Sequence, residues 1–140
     1  MSAISREIKD KVRFDAKNRC GYCLTPQEIL SMTLEIEHLH PVAVGGTDDE
    51  ENLWLACRNC NGFKHAKTRA VDPQTNIETV IFNPRNQIWS EHFEFSADKT
   101  EIVGKTACGR ATVIALRLNY ETAITARKIW VKAGWFPPAI

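Results

Sequence analysis

The chain has 140 residues, of which 44% are hydrophobic and 25% are charged, and these values are typical of a folded domain rather than of a disordered segment. Its net charge of +1 neither requires nor excludes a nucleic-acid partner. No apolar run approaches the roughly 18 residues of a membrane helix, and the charged N-terminus has no apolar signal core. We therefore expect a cytoplasmic protein with no membrane partner.

The first half of the chain has the pattern of a helix, a hairpin and a second helix. Ile4, Ile8 and Val12 recur every four residues, which favours an amphipathic helix. A polar loop with Gly45 and Gly46 separates two short strand patterns. The predicted elements are a helix over residues 5–17, strands over 33–37 and 53–55, and a Lys-rich helix over 59–69.

The second half combines short strand patterns with two helices. Its predicted elements are strands over residues 79–82, 89–95 and 101–103, with a turn at 96–99, and helices over 109–118 and 121–133. Gly134 is expected to cap the last helix. The four tryptophans lie in apolar segments and are expected to pack in the core: Trp54, Trp89, Trp130 and Trp135.

These elements predict a single α+β domain over residues 1–140. Residues 1–70 or so carry the unusual polar residues, and residues 71–140 or so form an extension that packs against them. No internal repeat or linker separates the two halves.

Four of the five cysteines form two Cys-x-x-Cys pairs, Cys20/Cys23 and Cys57/Cys60. In a reducing compartment such pairs favour a metal site over disulfides. Four thiolates match a tetrahedral zinc and leave no open position for water, so the pattern predicts a structural Zn²⁺. The 33 residues between the pairs hold the predicted hairpin, so this zinc would tie the start and end of the hairpin together.

An acid, a histidine and two asparagines lie between and beside these cysteines. His38 can act as a general base near neutral pH, and Glu37 and Asn61 offer oxygen ligands suited to magnesium or manganese. Asn52 can hydrogen-bond backbone and hold the loop after His38. In a regular strand Glu37 and His38 would face opposite sides, so both can serve one site only if the strand ends or twists there.

The ordered set resembles the HNH endonuclease family of the zinc-stapled ββα-metal type. It consists of Glu37-His38, Pro41, Gly45-Gly46, Asn52-Leu53, Cys57-x-x-Cys60-Asn61 and Lys64, within residues 20–68 or so. The remainder, with Phe82-Asn83-Pro84-Arg85, is similar to an extension of stand-alone bacterial HNH proteins. The resemblance implies a ββα hairpin–helix core with a structural Cys₄ zinc and a packed strand–helix extension.

The resemblance also implies the role of each site residue. His38 would be the general base, Glu37 and Asn61 the ligands of the catalytic ion, and Asn52 the structural asparagine. Glu37 and Asn61 replace the more usual aspartate and histidine, which favours Mg²⁺ or Mn²⁺ over zinc at the catalytic site. His65 lies one helical turn after Asn61 and is a further candidate ligand.

A basic cluster follows the second cysteine pair. Its members are Arg58, Lys64, Lys67 and Arg69, and on a helix several could meet phosphates from one side. The alternative for each is an ordinary solvated lysine or arginine.

The sequence therefore predicts a metal-dependent DNA endonuclease that acts as a monomer or a homodimer. One such site would nick one strand and leave a 5′-phosphate and a 3′-hydroxyl. The alternatives are a non-catalytic zinc-stapled nucleic-acid-binding module and a zinc protein that acts only through protein partners.

Overall fold

The computed structural model describes residues 3–140. Its elements are α1 (Arg6–Asp15), β1 (Glu35–His38), β2 (Leu53–Ala56), α2 (Arg58–Lys64), β3 (Arg69–Val71), β4 (Glu78–Val80), α3 (Trp89–His92), β5 (Phe93–Phe95), β6 (Ile102–Gly104), α4 (Ala107–Ala115) and α5 (Glu121–Ala133). The strands pair as three separate antiparallel hairpins, so the predicted α+β class is confirmed. None of the helices in this range has the length and apolar character needed to cross a bilayer.

The first helix follows from the four-residue spacing of its apolar side chains. Ser5 caps α1, because its hydroxyl oxygen accepts a hydrogen bond from the Ile8 N–H at 3.2 Å. Val12 is fully buried, Ile4 and Ile8 pack against the core, and α1 lies against β2. The predicted helix is confirmed, and it supports the back of the hairpin.

The hairpin that follows places the candidate site residues. In β1–β2, Glu37 pairs with Trp54 and His38 with Leu53, and α2 packs against β1. The prediction of helix to residue 69 is wrong, since α2 ends at Lys64. His65 has φ 46°, a left-handed backbone that a right-handed helix cannot continue through. Residues 69–71 form the strand β3 instead.

The strand predicted over residues 89–95 is also only partly correct. Trp89–His92 is a helical turn, and the strand begins at Phe93. Trp89 and Phe93 are both buried while Glu91 between them is exposed, whereas the two-residue period of a strand would place all three on one face. The indole N–H of Trp89 donates to the Tyr22 carbonyl at 2.8 Å, which anchors this turn beneath the first cysteine pair.

The other strands and helices predicted in the second half are present within a few residues of the predicted bounds. Ser96 donates from its N–H to the Glu101 carbonyl at 2.9 Å, which closes the turn of the β5–β6 hairpin. The last helix has the predicted bounds, and Gly134 ends it with φ 81°. The tryptophan prediction is wrong for Trp135, which is 57% exposed because the chain leaves α5 at Gly134.

Arg85 joins the second half to the first. The Arg85 guanidinium donates to the Leu53 carbonyl at 2.9 and 3.2 Å and lies 4.9 Å from the centre of the Trp54 ring. Within the second half itself, Arg127 is buried and donates to the carbonyls of Thr100 and Leu118. The segment after residue 71 therefore supports the hairpin that carries His38.

Candidate active site

Four cysteine thiols converge at the base of the hairpin. The Sγ atoms of Cys20, Cys23, Cys57 and Cys60 all lie within 4.8 Å of one another. The distance from Cys23 Sγ to Cys57 Sγ is 3.7 Å, and a tetrahedral zinc with Zn–S bonds of about 2.3 Å requires sulfurs roughly 3.8 Å apart. The four thiols therefore fit the predicted structural zinc.

The backbone around each cysteine pair also suits thiolate ligands. Cys20 Sγ accepts from the Tyr22 N–H and Cys57 Sγ accepts from the Cys60 N–H, both at 3.4 Å. Such bonds favour the charged thiolate that binds metal. Burial above all, and then hydrogen bonds with neighbouring thiols, raise the pKa of the Cys20 thiol, whereas hydrogen bonds with the other three cysteines lower the pKa of Cys23. A cation is thus the partner that this buried cluster needs to hold its thiols in the ionised form.

A second site lies where β1 meets the end of α2. His38, Asn61 and His65 line one pocket of about 200 Å³ together with Ile36 and the loop that begins at Pro41. The Nε2 atom of His38 lies 2.7 Å from Oδ1 of Asp48. The fold therefore brings together the candidate base and two of the candidate metal ligands, which are separated by 23 to 27 residues in sequence.

The amide of Asn61 is oriented by an acid that sequence reasoning missed. Asn61 Nδ2 donates to Glu35 Oε1 at 2.9 Å. This bond directs the amide nitrogen to the carboxylate and leaves Oδ1 as the end that can act as a ligand. The strand period places Glu35 on the face of Glu37, so the sequence carries no signal of its bond to Asn61.

Glu37 lies apart from this pocket. Its side chain is 1% exposed and does not line the pocket. The Tyr22 hydroxyl donates to Oε2 at 2.7 Å, and Oε1 lies 2.7 Å from the Lys64 ammonium without the angles of a hydrogen bond. Burial raises the pKa of Glu37, while Lys64 and Tyr22 lower it. The opposite facing of Glu37 and His38 expected for a regular strand is what the structure has.

The basic cluster is divided between the interior and the surface. Lys64 is 3% exposed, and its ammonium also donates to the carbonyls of His38 and Leu39 at 3.2 and 3.1 Å. Its place is therefore inside the hairpin–helix junction and not on the solvated face that the sequence suggested. Arg58, Lys67 and Arg69 are exposed, although Arg69 pairs with Glu78 at 2.6 Å.

We expect removal of one partner of the buried Glu37–Lys64 pair to lower the free energy of unfolding. Lys64→Met leaves a buried carboxylate without its cation, and loss of one partner of such a pair costs about 3–5 kcal/mol. The double variant Glu37→Gln/Lys64→Met should recover most of this free energy of unfolding. Urea unfolding of the single and double variants, with the exposed Lys67→Met as control, measures it. Equal stability of Lys64→Met and Lys67→Met would contradict the prediction.

Asn52 holds the loop that follows His38. Its Oδ1 accepts from the His40 N–H at 2.8 Å, and its Nδ2 donates to the carbonyls of His40 and Thr47 at 3.0 and 2.8 Å. The Leu39 N–H also donates to the Asn52 carbonyl at 2.8 Å. One side chain therefore joins both ends of the loop, which fixes the backbone on either side of the pocket.

Comparison with known proteins agrees with this geometry. Residues 20–67 match the family model described as HNH endonuclease. The matched segment holds both cysteine pairs, the β1–β2 hairpin and α2. Neither the curated proteins nor the solved structures gave a significant match.

Residues 20–67 are therefore similar to HNH endonucleases, and this segment holds a four-cysteine cluster compatible with zinc. The matching family is one of nucleases, whose substrates are nucleic acids. The predicted resemblance is confirmed over this segment.

Proposed function

We propose that the protein is a metal-dependent DNA endonuclease that hydrolyses phosphodiester bonds with His38 as the general base. The observation that carries the proposal is the pocket shared by His38, Asn61 and His65 within the HNH segment. The five cysteines of the protein are free thiols, which suits the cytoplasm, where disulfides are rare.

The proposed role of His38 is to take a proton from the attacking water. Its ring is about one-quarter exposed, so it can be reached from solvent and by a phosphate. Attack on phosphorus with loss of the 3′-oxygen leaves a 5′-phosphate and a 3′-hydroxyl. The contribution of such a base to the rate is typically about 10²–10⁴-fold.

The proposed ligands of the catalytic ion are Asn61 and Glu37, with His65 as a further candidate. Their chemistry suits Mg²⁺ or Mn²⁺, which keep several waters and need only one or two protein oxygens. Asn61 Oδ1 is left open by the bond to Glu35. Glu37 pairs with Lys64 outside the pocket, so its part in binding would require its side chain to leave that pair. The ion would stabilise charge on the phosphorane and the leaving oxygen.

The proposed contacts to the DNA backbone come from Arg58, Lys67 and Arg69. All three are exposed, and backbone contacts of this kind position a duplex without reading its sequence. One site cuts one strand, so a monomer would nick and a homodimer could cut both strands.

A supercoiled-plasmid assay at low salt tests the proposal. The protein with its zinc intact is incubated with Mg²⁺ or Mn²⁺, and conversion to nicked circles is followed with time. We expect nicking that stops on addition of EDTA, and nicks that DNA ligase can reseal because they carry a 5′-phosphate and a 3′-hydroxyl. Asn61→Ala should raise the Mn²⁺ concentration needed for half-maximal rate.

The binding-module alternative predicts a different result. A module that lacks the chemistry would shift DNA on a gel without divalent ion and would leave the plasmid supercoiled at every metal concentration. A protein that acts only through protein partners would do neither, even at low salt, where phosphate contacts are strongest.

A further inference from the structure

The contact between His38 and Asp48 defines which nitrogen of the histidine can act as a base. Nε2 lies 2.7 Å from Asp48 Oδ1, and an ionised carboxylate only accepts hydrogen bonds. Nε2 therefore carries the proton. In the neutral ring this leaves the lone pair on Nδ1, so Nδ1 is the nitrogen that can take a proton from water.

The loop that carries Asp48 is held closed by its own backbone. Gly45 has φ 98°, a conformation that glycine adopts without strain. A Cβ on Gly46 would overlap the His40 carbonyl, so the two strands of the loop approach there as closely as glycine allows. The Gly46 N–H donates to the Pro41 carbonyl at 2.9 Å.

Asp48 is fixed from its other side as well. The carbonyl of Thr47, the preceding residue, accepts from Asn52 Nδ2 at 2.8 Å. The hydroxyl of Thr47 donates to Asp49 at 3.0 Å, and the Asp49 N–H donates back to it at 3.3 Å. The residues on both sides of Asp48 are thus hydrogen-bonded, and its carboxylate reaches His38 from a loop that these bonds hold.

We propose that Asp48 is a positioning residue that holds His38 as the Nε2–H tautomer, with Nδ1 facing the reaction. The role rests on the proposed function, since it concerns the same base. It also gives Asn52 and the Gly-Gly pair a common purpose, because both fix the loop that presents Asp48. Loss of the partner that orients a metal-bound histidine typically costs about 10–100-fold, and we expect a loss of the same order for this base.

The test compares Asp48→Ala and Asp48→Asn with Glu50→Ala. Glu50 is an acid of the same loop that contacts Lys11 and not His38, so its removal controls for charge. Zinc content and thermal unfolding establish that each variant is folded. The ¹⁵N shifts of the His38 ring, assigned by difference from His38→Ala, report which nitrogen carries the proton.

We expect the wild type and Glu50→Ala to hold the Nε2–H tautomer and Asp48→Ala to lose it. The nicking rate of Asp48→Ala at saturating DNA should fall roughly 10–100-fold with little change in DNA affinity. Asp48→Asn, whose amide oxygen can still accept from Nε2–H, should retain more of both. If the wild type does not nick, the proposed function fails and the ring spectrum alone decides the role of Asp48. The proposed role of Asp48 is overturned if Asp48→Ala keeps the Nε2–H tautomer, or if the wild type nicks DNA and Asp48→Ala nicks it at the same rate.

Discussion

Replacement of His38 by alanine is expected to reduce DNA nicking by at least about a hundredfold, because the variant lacks the group proposed to activate water. The His38 side chain contacts Asp48 at the surface of the pocket and does not lie in the core. Removal of the ring should therefore leave the fold and the zinc cluster intact. The effect should appear in the maximal rate, with DNA affinity nearly unchanged.

The matched control for this variant is His40→Ala. His40 lies in the same loop, and its ring contacts only the Val44 carbonyl among the bonds that the structure describes. The contacts of Asn52 go to the His40 backbone, so they survive the substitution. Nicking should persist in His40→Ala and disappear in His38→Ala. Equal rates for His38→Ala and the wild type would show that the cut comes from another site or a contaminant.

Loss of the zinc cluster is expected to have the largest effect on the fold. Structural zinc in small domains contributes about 10–16 kcal/mol of apparent binding free energy, which is as large as the whole stability of a typical domain. Cys57→Ser removes one ligand at the start of α2. The variant should lose stoichiometric zinc, unfold at a much lower temperature and fail to nick.

Cys108→Ser is the control for the chemistry of the substitution. Cys108 is buried in α4 and lies outside the four-cysteine cluster. It should keep one zinc per chain by atomic emission spectroscopy and unfold near the wild-type temperature. Retention of zinc and of the melting temperature by Cys57→Ser would refute the structural role of the cluster.

The hairpin and its zinc ligands follow from local sequence patterns. Two Cys-x-x-Cys pairs limit the chemistry to a closed thiolate site, and the alternation around Ile36 and Leu55 predicts two paired strands. The four-residue spacing of Ile4, Ile8 and Val12 predicts α1, because it places their side chains on one face of a helix. Each of these signals lies within a few residues, so neighbouring side chains determine it.

Other features depend on contacts between distant segments. The pattern of 89–95 resembled a strand, but burial of Trp89 beneath Tyr22 makes its first part helical. The Lys-rich helix ended early because His65 adopts a left-handed backbone. Neither the tertiary anchor nor the backbone conformation has a local sequence signal.

The sequence by itself determined the kinds of group available: a base in His38, oxygen ligands in Glu37 and Asn61, and a loop asparagine in Asn52. Only the tertiary structure decided which of them meet. Packing of α2 on β1 buries Lys64 against Glu37 and turns both away from the pocket. Closure of the Gly-Gly loop brings Asp48 to His38. Burial and charge pairing between segments far apart in the chain set these partners, and spacing along the chain carries no information about either.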